Sequence, residues 1–503
     1  MDQDSKRLTR REFVQAGAAG MGVLASPMAM RGGAVEENLA TRSLGRADFQ
    51  VTTMGLGGQA SLQWTPPDVD PVRIILEAYR RGVNYFDTSN VYDDSQLNYG
   101  KAFRRLGLVP GLANYEASKR RRVFLASKTM LRMAKGYMPR SAPNVEGTQG
   151  PSGSTAIDDL KRTLAQIFGD ENGKYSDDAY LDLFQIHNLN FMEEVDAVYV
   201  GLEKPDPSSR HIGALAALRD YRDGTNSTGL NPNEERRIRH IGITGHYSSP
   251  VLMECIQRDE HELLDAMLVS INANDHLYFN HQYNAIPVAA AKGMGVIGMK
   301  VFADGVMFGR KPGWTHLDPK VVRTVGSDKV PSAPLIQYAL SVPGLSTAII
   351  GIGHVDKEPS RCQLQRNLAA ARLETPLDDK ERRDVEQMAA SMHAGQTNYF
   401  QQSAQPLGPP RAAKAEQTVR GDSRTASVSW HTAYAADAPI HHYSVQRDGR
   451  EVSRIPHKPQ LTKTPFSFEE TLADQAAHRY VVVSVDGQGR TAKSQPLAIK
   501  ALG

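Results

Sequence analysis

Four polar residues close or follow apolar runs in the first part of the chain. Asp87 ends Asn84-Tyr85-Phe86-Asp87, and Tyr92 follows in Ser89-Asn90-Val91-Tyr92. Lys128 ends Leu125-Ala126-Ser127-Lys128, and His187 ends Leu183-Phe184-Gln185-Ile186-His187. Singly, each has an ordinary structural reading: a helix cap, a surface aromatic, a solvated strand end, a satisfied histidine. As a set they make chemical sense. Tyrosine, with a pKa of about 10, is a poor acid at neutral pH. A lysine cation beside it favours the phenolate and lowers that pKa. An aspartate holds the lysine charged and in place, and a histidine polarises a substrate carbonyl. Such a group protonates an alkoxide while another species delivers hydride.

These residues converge only if their strands lie side by side and end at one pole. From about residue 41 to 400, apolar runs alternate with amphipathic segments. The runs are Tyr85-Phe86, Val123–Ala126, Leu181–Ile186, Ile238–Ile243, Met267–Ile271, Val296–Met299 and Thr347–Ile350. The amphipathic segments include Val72–Arg81, Ile157–Phe168, Gly213–Arg222 and Ser360–Ala371. Strand–helix alternation makes a parallel sheet with helices outside. About eight units in this length predict an α/β fold, a (β/α)8 TIM barrel with its site at the C-terminal rim. A doubly wound sheet would want G-x-G-x-x-G after its first strand, and Met54-Gly55-Leu56-Gly57-Gly58 lacks that spacing. The long segments 129–154, 188–210 and 302–330 follow strands and belong to the rim. Tyr137, Tyr278 and Trp314 are the substrate-contact candidates there.

Composition narrows the function classes. The 503 residues carry 59 basic and 56 acidic side chains, a net charge of +3, without the basic stripe that nucleic acid requires. Cys255 and Cys362 alone build no metal or iron–sulfur cage, so no metal site is expected. They fall in different outer helices, and no disulfide is expected between them. No apolar run is long enough to span a membrane. Residues 1–30 read as a twin-arginine signal peptide: Arg10-Arg11, then Phe13, then a weakly apolar stretch with Gly17, Gly20 and Gly22. The expectation is export by the twin-arginine machinery to the periplasm or the medium, a route that moves folded proteins.

At Gln405–Pro410 the composition shifts to a Pro/Gly linker, placed at 401–411. Beyond it, 412–503 reads as all-β. Ala426–His431, Tyr443–Arg447 and Tyr480–Val485 alternate, with turns at Asp448-Gly449 and Asp486–Gly489. Pro409-Pro410, Trp430, Tyr443-x-Val445-x-Arg447-Asp448-Gly449 and Tyr480-x-Val482 resemble a fibronectin type III sandwich. This implies a spacer or adhesion module with an envelope or carbohydrate partner.

Residues 41–372 resemble the aldo-keto reductase superfamily. Arg42–Arg46 and Met54–Gly58 match its entrance hairpin and first strand, and Arg81-Gly82-Val83-Asn84-Tyr85-Phe86-Asp87-Thr88-Ser89-x-x-Tyr92 matches its signature. The resemblance implies Tyr92 as proton donor, Lys128 as its partner, Asp87 as the partner of Lys128, and His187 as the carbonyl-orienting group. It also implies NADP(H), with NAD(H) as the alternative cofactor. Lys300, Val301, Phe302 and Gly305 would follow the pyrophosphate. Gly351 and Gly353 would flank the eighth strand, and Asn367 would meet adenine. Lys357, Arg361 and Arg366 are candidates for a 2′-phosphate. The usual Ser-Asn after the fifth strand is replaced by Thr244-Gly245-His246. The usual sixth-strand glutamine has Asn272 and Asn274 as its nearby substitutes.

Three readings follow. The first is an exported reductase acting on a carbonyl or alcohol, with a sugar among the candidates. The second is a non-turnover nucleotide-binding or regulatory protein on the same fold. The third is a secreted glycosidase, for which Asp87 with Asp93 or Asp94 would have to supply paired carboxylates.

Overall fold

The computed structural model describes residues 39–136, 155–246, 248–277, 281–310, 321–392 and 405–502. The leader read at 1–30 and the rim candidates Tyr137, Tyr278 and Trp314 lie outside them. Eight parallel strands close a barrel: β1 (Met54–Leu56), β2 (Tyr85–Asp87), β3 (Phe124–Thr129), β4 (Leu181–Ile186), β5 (Ile238–Gly245), β6 (Leu264–Ser270), β7 (Gly295–Met299) and β8 (Leu345–Ile350). Each pairs with its neighbour in the chain, and β8 returns to β1 through Ala348–Met54, Ile349–Gly55 and Ile350–Leu56. The antiparallel hairpin Thr41–Ser43 with Gln50–Thr52 precedes β1.

Strand residues alternate between two cores because successive side chains point to opposite faces. Tyr85, Phe124, Ala126, Leu183, Leu268 and Ile297 fill the barrel interior. Phe86, Leu125, Phe184 and Ile243 join the larger core beneath the helices. The same period of two puts Asp87, Lys128 and His187 on the interior face, two residues beyond Tyr85, Ala126 and Gln185. All three stand at the C-terminal mouth.

The helices begin where local chemistry permits. Asp70 caps Pro71–Arg80, accepting from the Val72 amide, with proline in the first turn where its missing N–H costs nothing. Thr155 and Asp158 form a reciprocal capping box for Ala156–Phe168. The helix expected over 360–371 is shorter, Gln363–Ala370. The Gln363 side chain turns back to accept from the Gly353 amide at 2.8 Å and donates to Val322 O and Thr324 O. Cys255 and Cys362 are buried and free.

The C-terminal strands are β9 (Arg411–Arg420), β10 (Ser423–His431), β11 (Ile440–Arg447), β12 (Arg450–Pro456), β13 (Phe466–Leu472), β14 (His478–Asp486), β15 (Thr491–Lys493) and β16 (Leu497–Ile499). β9-β10-β13 make one antiparallel sheet. β12-β11-β14-β15, with β16 on β14, make the other. Val428, Trp430, Tyr443, Val445, Phe466, Tyr480 and Val482 share one core between them, a sandwich arrangement. The Asp448-Gly449 turn joins β11 to β12 with both residues at positive φ, as a tight hairpin requires.

His478 opens β14 between two carboxylates. Its Nδ1 donates to Asp448 at 2.7 Å and its Nε2 to Asp474 at 2.9 Å. Both ring nitrogens are donors, so the imidazolium is the form that fits. The hydrogen bond to Asp448, supported by Asp474, raises the His478 pKa above its ordinary value. A raised folded-state pKa stabilises fully below the unfolded value of about 6.5, and that stabilisation is lost as pH climbs through the folded value. The melting-temperature gap between the parent and His478→Gln is therefore expected to be widest below about pH 6.5 and to shrink as the pH rises past the raised folded-state value. A gap that does not change with pH would refute the charged pairing.

Candidate active site

Asp87, Lys128, Tyr92 and His187 meet at the mouth. Lys128 and Asp87 are fully buried and ion-paired. The Lys128 ammonium also donates to Thr88 O at 2.7 Å and to the Tyr92 hydroxyl at 3.5 Å, with its Nζ 4.7 Å from the Tyr92 ring centroid. His187 sits edge-on to Tyr92, the ring centroids 5.8 Å apart.

Tyr92 lies in a loop, and that loop is pinned. Asn90 donates its side-chain amide to Lys128 O, Asp159 O and Thr163 Oγ1 at 3.1, 3.0 and 2.8 Å. The helix Ala156–Phe168 thus fastens the Tyr92 loop to the end of β3. Around His187, a buried Arg132–Glu194 pair holds the next turn. Arg132 donates to Asn188 O at 2.9 Å, and Glu194 accepts from the Asn190 and Phe191 amides at 2.7 and 3.1 Å.

The electrostatics correct one expectation. A lysine cation by itself lowers a neighbouring tyrosine's pKa. Instead burial, followed by the charges of Asp87 and Asp304, holds that of Tyr92 well above 10. Asp87 already neutralises Lys128 locally, so Tyr92 keeps its proton across the neutral range. Burial, followed by the cation of Lys128, holds His187 well below its ordinary value, and its ring is neutral. Its Nδ1 lies 3.2 Å from Ser89 Oγ. Asp87 is committed to Lys128 and buried, so it is not the solvent-facing carboxylate that the glycosidase reading requires of it.

Beside this cluster opens a cleft lined by Asp87, Tyr92, Gly57, Gly58, Trp64 and the turn after β7. That turn is irregular: Lys300, Ala303 and Asp304 all have positive φ near 50–60°, and Gly305 has φ 86°. Lys300 pairs with Asp304 at 2.6 and 2.8 Å across the turn.

A sequence model of the aldo/keto reductase family matches residues 53–390. The chain belongs to the aldo/keto reductase family. Among solved structures, it is similar to an aldo-keto reductase of Bacillus halodurans in its holo form. The identity is 19%, 71% of this chain and 97% of that one are covered, and the TM-score is 0.43. The glycerol dehydrogenase of Gluconobacter oxydans aligns at 17% identity over 70% of this chain and 96% of its own, with TM-score 0.42. A Klebsiella pneumoniae aldo-keto reductase in complex with NADPH aligns at 15% over 67% and 91%, with TM-score 0.39.

In this aldo/keto reductase, the residues expected to hold a nucleotide divide into groups. Lys300, Val301, Phe302, Gly305 and Gly351 line the cleft. Asn367 is buried on Gln363–Ala370, and its Oδ1 has no hydrogen-bond partner among the described residues. An exocyclic amino group would satisfy that acceptor. Lys357, Arg361 and Arg366 are exposed, and Arg361 lies 3.4 Å from Asp356. Gly353 packs in the wall: an added Cβ would meet Val322 O at 2.2 Å.

Two expected contacts are turned to other work. The Asn272 amide donates to Asp275 at 3.1 Å and accepts from the Asn274 amide at 2.9 Å, folding its own loop. The Thr244 hydroxyl accepts from the Asn188 amide at 2.8 Å. Conversely, Trp64, Met299, Arg310 and Gln363 line the cleft without having been singled out in the sequence. For Trp64 and Arg310 no spacing signal existed. Met299 is legible as the last inward residue of β7, two beyond Ile297.

Proposed function

We propose that this protein is an exported aldo/keto reductase that moves hydride between NADP(H) and a carbonyl or alcohol substrate. The observation that carries this is the buried Asp87–Lys128–Tyr92–His187 cluster opening onto the cleft. The residues present fit a nucleotide: a cleft beside the cluster, the backbone turn Lys300–Gly305, and, on the helix whose Gln363 lines that cleft, the Asn367 acceptor that has no partner among the described residues. Lys357 and Arg366 are the candidates for a 2′-phosphate, and NAD(H) is the alternative if they make no such contact.

The bound nucleotide would supply or accept the hydride. The chain's own residues handle the carbonyl oxygen. Ser89 donates to Nδ1 of the neutral His187, which leaves Nε2–H to hydrogen-bond that oxygen. Tyr92 transfers its phenolic proton to the same oxygen as it gains alkoxide character. The Lys128 ammonium, 3.5 Å away, offsets the phenolate charge left on Tyr92, and Asp87 keeps Lys128 in reach. The high pKa of Tyr92 stores the proton until the oxygen is basic enough to take it.

The test is a single turnover. Protein preloaded with NADPH is mixed with aldehydes, ketones and open-chain sugars, and bound cofactor and alcohol product are followed together. Equal loss of NADPH and gain of alcohol is expected. Bound NADPH that no carbonyl oxidises would favour the non-turnover reading.

Export rests on Arg10-Arg11 and the weakly apolar stretch after them. Arg10→Lys with Arg11→Lys is expected to retain the protein in the cytoplasm, scored by fractionation. Unchanged delivery would remove the twin-arginine route from the account. A cofactor loaded before export would need a second substrate to regenerate it outside.

A further inference from the structure

The C-terminal sandwich is attached to the barrel by more than its linker. Asn284, the residue before helix Ala285–Ala291, exchanges two hydrogen bonds with Ala435. Its Nδ2 donates to Ala435 O at 3.0 Å, and Ala435 N donates to its Oδ1 at 2.9 Å. A buried amide matched to both the N–H and the C=O of one residue is a rigid joint. Elsewhere on the same interface, Gln257 donates to Gln460 O at 2.8 Å, and Lys463 pairs with Glu254.

From Asn284 the bonds run inward. The Asn284 and Ile286 amides both donate to His281 O, at 3.3 and 3.0 Å. His281 is buried, and burial pushes its pKa down to about 4, so the ring is neutral. Its Nε2 lies 3.1 Å from His246 O, and its Nδ1 lies 2.8 Å from Ser249 Oγ. A carbonyl only accepts, so Nε2 donates to His246 O and Nδ1 accepts from Ser249.

His246 follows the last residue of β5, on the inward register of Gly242 and Thr244. Its Nδ1 is 3.4 Å from Ser270 Oγ at the end of β6. Burial and then the cations of Lys300, which lines the cleft, and Lys128 depress its pKa. Hydrogen bonds thus link the sandwich to the mouth in the order Ala435, Asn284, His281, His246, Ser270.

We propose that the C-terminal module is part of the active-site scaffold: through Asn284 it fixes His281, and through His281 it sets where His246 stands in the mouth. Asn284 and His281 are positioning residues. The module is a fixed brace as well as whatever it offers to other partners. This rests on the reading of the mouth as a nucleotide site.

Contiguous bonds become coupling only when a change at one end moves the other. The test uses the full-length chain and three variants. Asn284→Ala breaks the joint. Ser249→Ala reaches His281 from the barrel side and leaves the interface untouched. Gln257→Ala with Lys463→Ala loosens the same interface away from this path. The readouts are the His246 ring titration by NMR with labelled histidine, hydrogen exchange over residues 238–246, and the Kd for NADPH. Asn284→Ala and Ser249→Ala are each expected to shift the His246 titration, speed exchange at the end of β5, and weaken NADPH about fivefold, the size of one lost hydrogen bond. The Gln257/Lys463 pair is expected to leave all three unchanged.

The proposal is overturned if Asn284→Ala leaves His246 unmoved, whatever Ser249→Ala does, or if the control pair moves it equally. Should Asn284→Ala fail to fold, Asn284→Gln, which keeps the amide but moves it out of register with Ala435, takes its place. Should the parent bind no NADPH, the nucleotide reading falls, while the titration and exchange still judge the brace.

Discussion

Tyr92→Phe is expected to lower the rate of carbonyl reduction by about 10²–10⁴-fold, the usual share of a positioned general acid, while leaving NADPH affinity near that of the parent. The substitution removes one hydroxyl and keeps the ring that packs edge-on against His187. The phenol stays protonated because burial and two carboxylates oppose its ionisation, and His187 stays neutral because burial and Lys128 oppose its protonation. Neither group changes charge in the neutral range. The kcat/KM of the parent for reduction is therefore expected to be flat from about pH 6 to 9 as far as these two groups are concerned. A Tyr92→Phe variant within about threefold of the parent in single turnover would mean that another proton source serves the oxygen.

Lys128→Met is expected to cost both activity and stability. Asp87 is fully buried, its Oδ1 pairs with Lys128, and its Oδ2 has no hydrogen-bond partner among the described residues. Removing one member of a buried ion pair destabilises a protein by about 3–5 kcal/mol, because the remaining charge is left without compensation. Burial already raises the Asp87 pKa, so the variant's carboxyl is expected to take up a proton as part of its relaxation. Adding Asp87→Asn to Lys128→Met removes the stranded charge, and most of the lost stability should return in urea denaturation. Reduction should not return, because nothing then receives the charge left on Tyr92. A double variant as unstable as the single one would show that Lys128 contributes by packing alone. A double variant that regains turnover would remove Lys128 from the chemistry.

The barrel was legible because its strands are short apolar runs closed by polar residues at one end. Asp87, Lys128 and His187 each stand two residues past an interior side chain, so the period of two that identifies the strand also aims the group into the mouth. What escaped sequence reasoning has local causes. The Tyr92 pKa is set first by burial of its ring and then by Asp87 and Asp304, and the spacing of residues along the strands shows neither the depth of that burial nor the approach of Asp304. Asn272 has the right chemistry for a ligand, but Asp275 three residues on captures its amide. Trp64 sits in an irregular stretch with no period to place it. The sandwich was read from Trp430, Tyr443 and the Asp448-Gly449 turn. Its joint with the barrel depends on Asn284 and Ala435, 151 residues apart, which no local pattern connects.

The account's central claim is that the barrel mouth is a nicotinamide nucleotide site. The most direct test purifies the protein without added nucleotide, denatures it, and assays the released small molecules for NADP(H) and NAD(H). The prediction is near-stoichiometric NADP(H), or, if the nucleotide is lost in purification, saturable binding when NADPH is added back. No released nucleotide together with no binding of added NADPH would contradict the claim and leave the Asp87–Lys128–Tyr92–His187 cluster without a hydride partner.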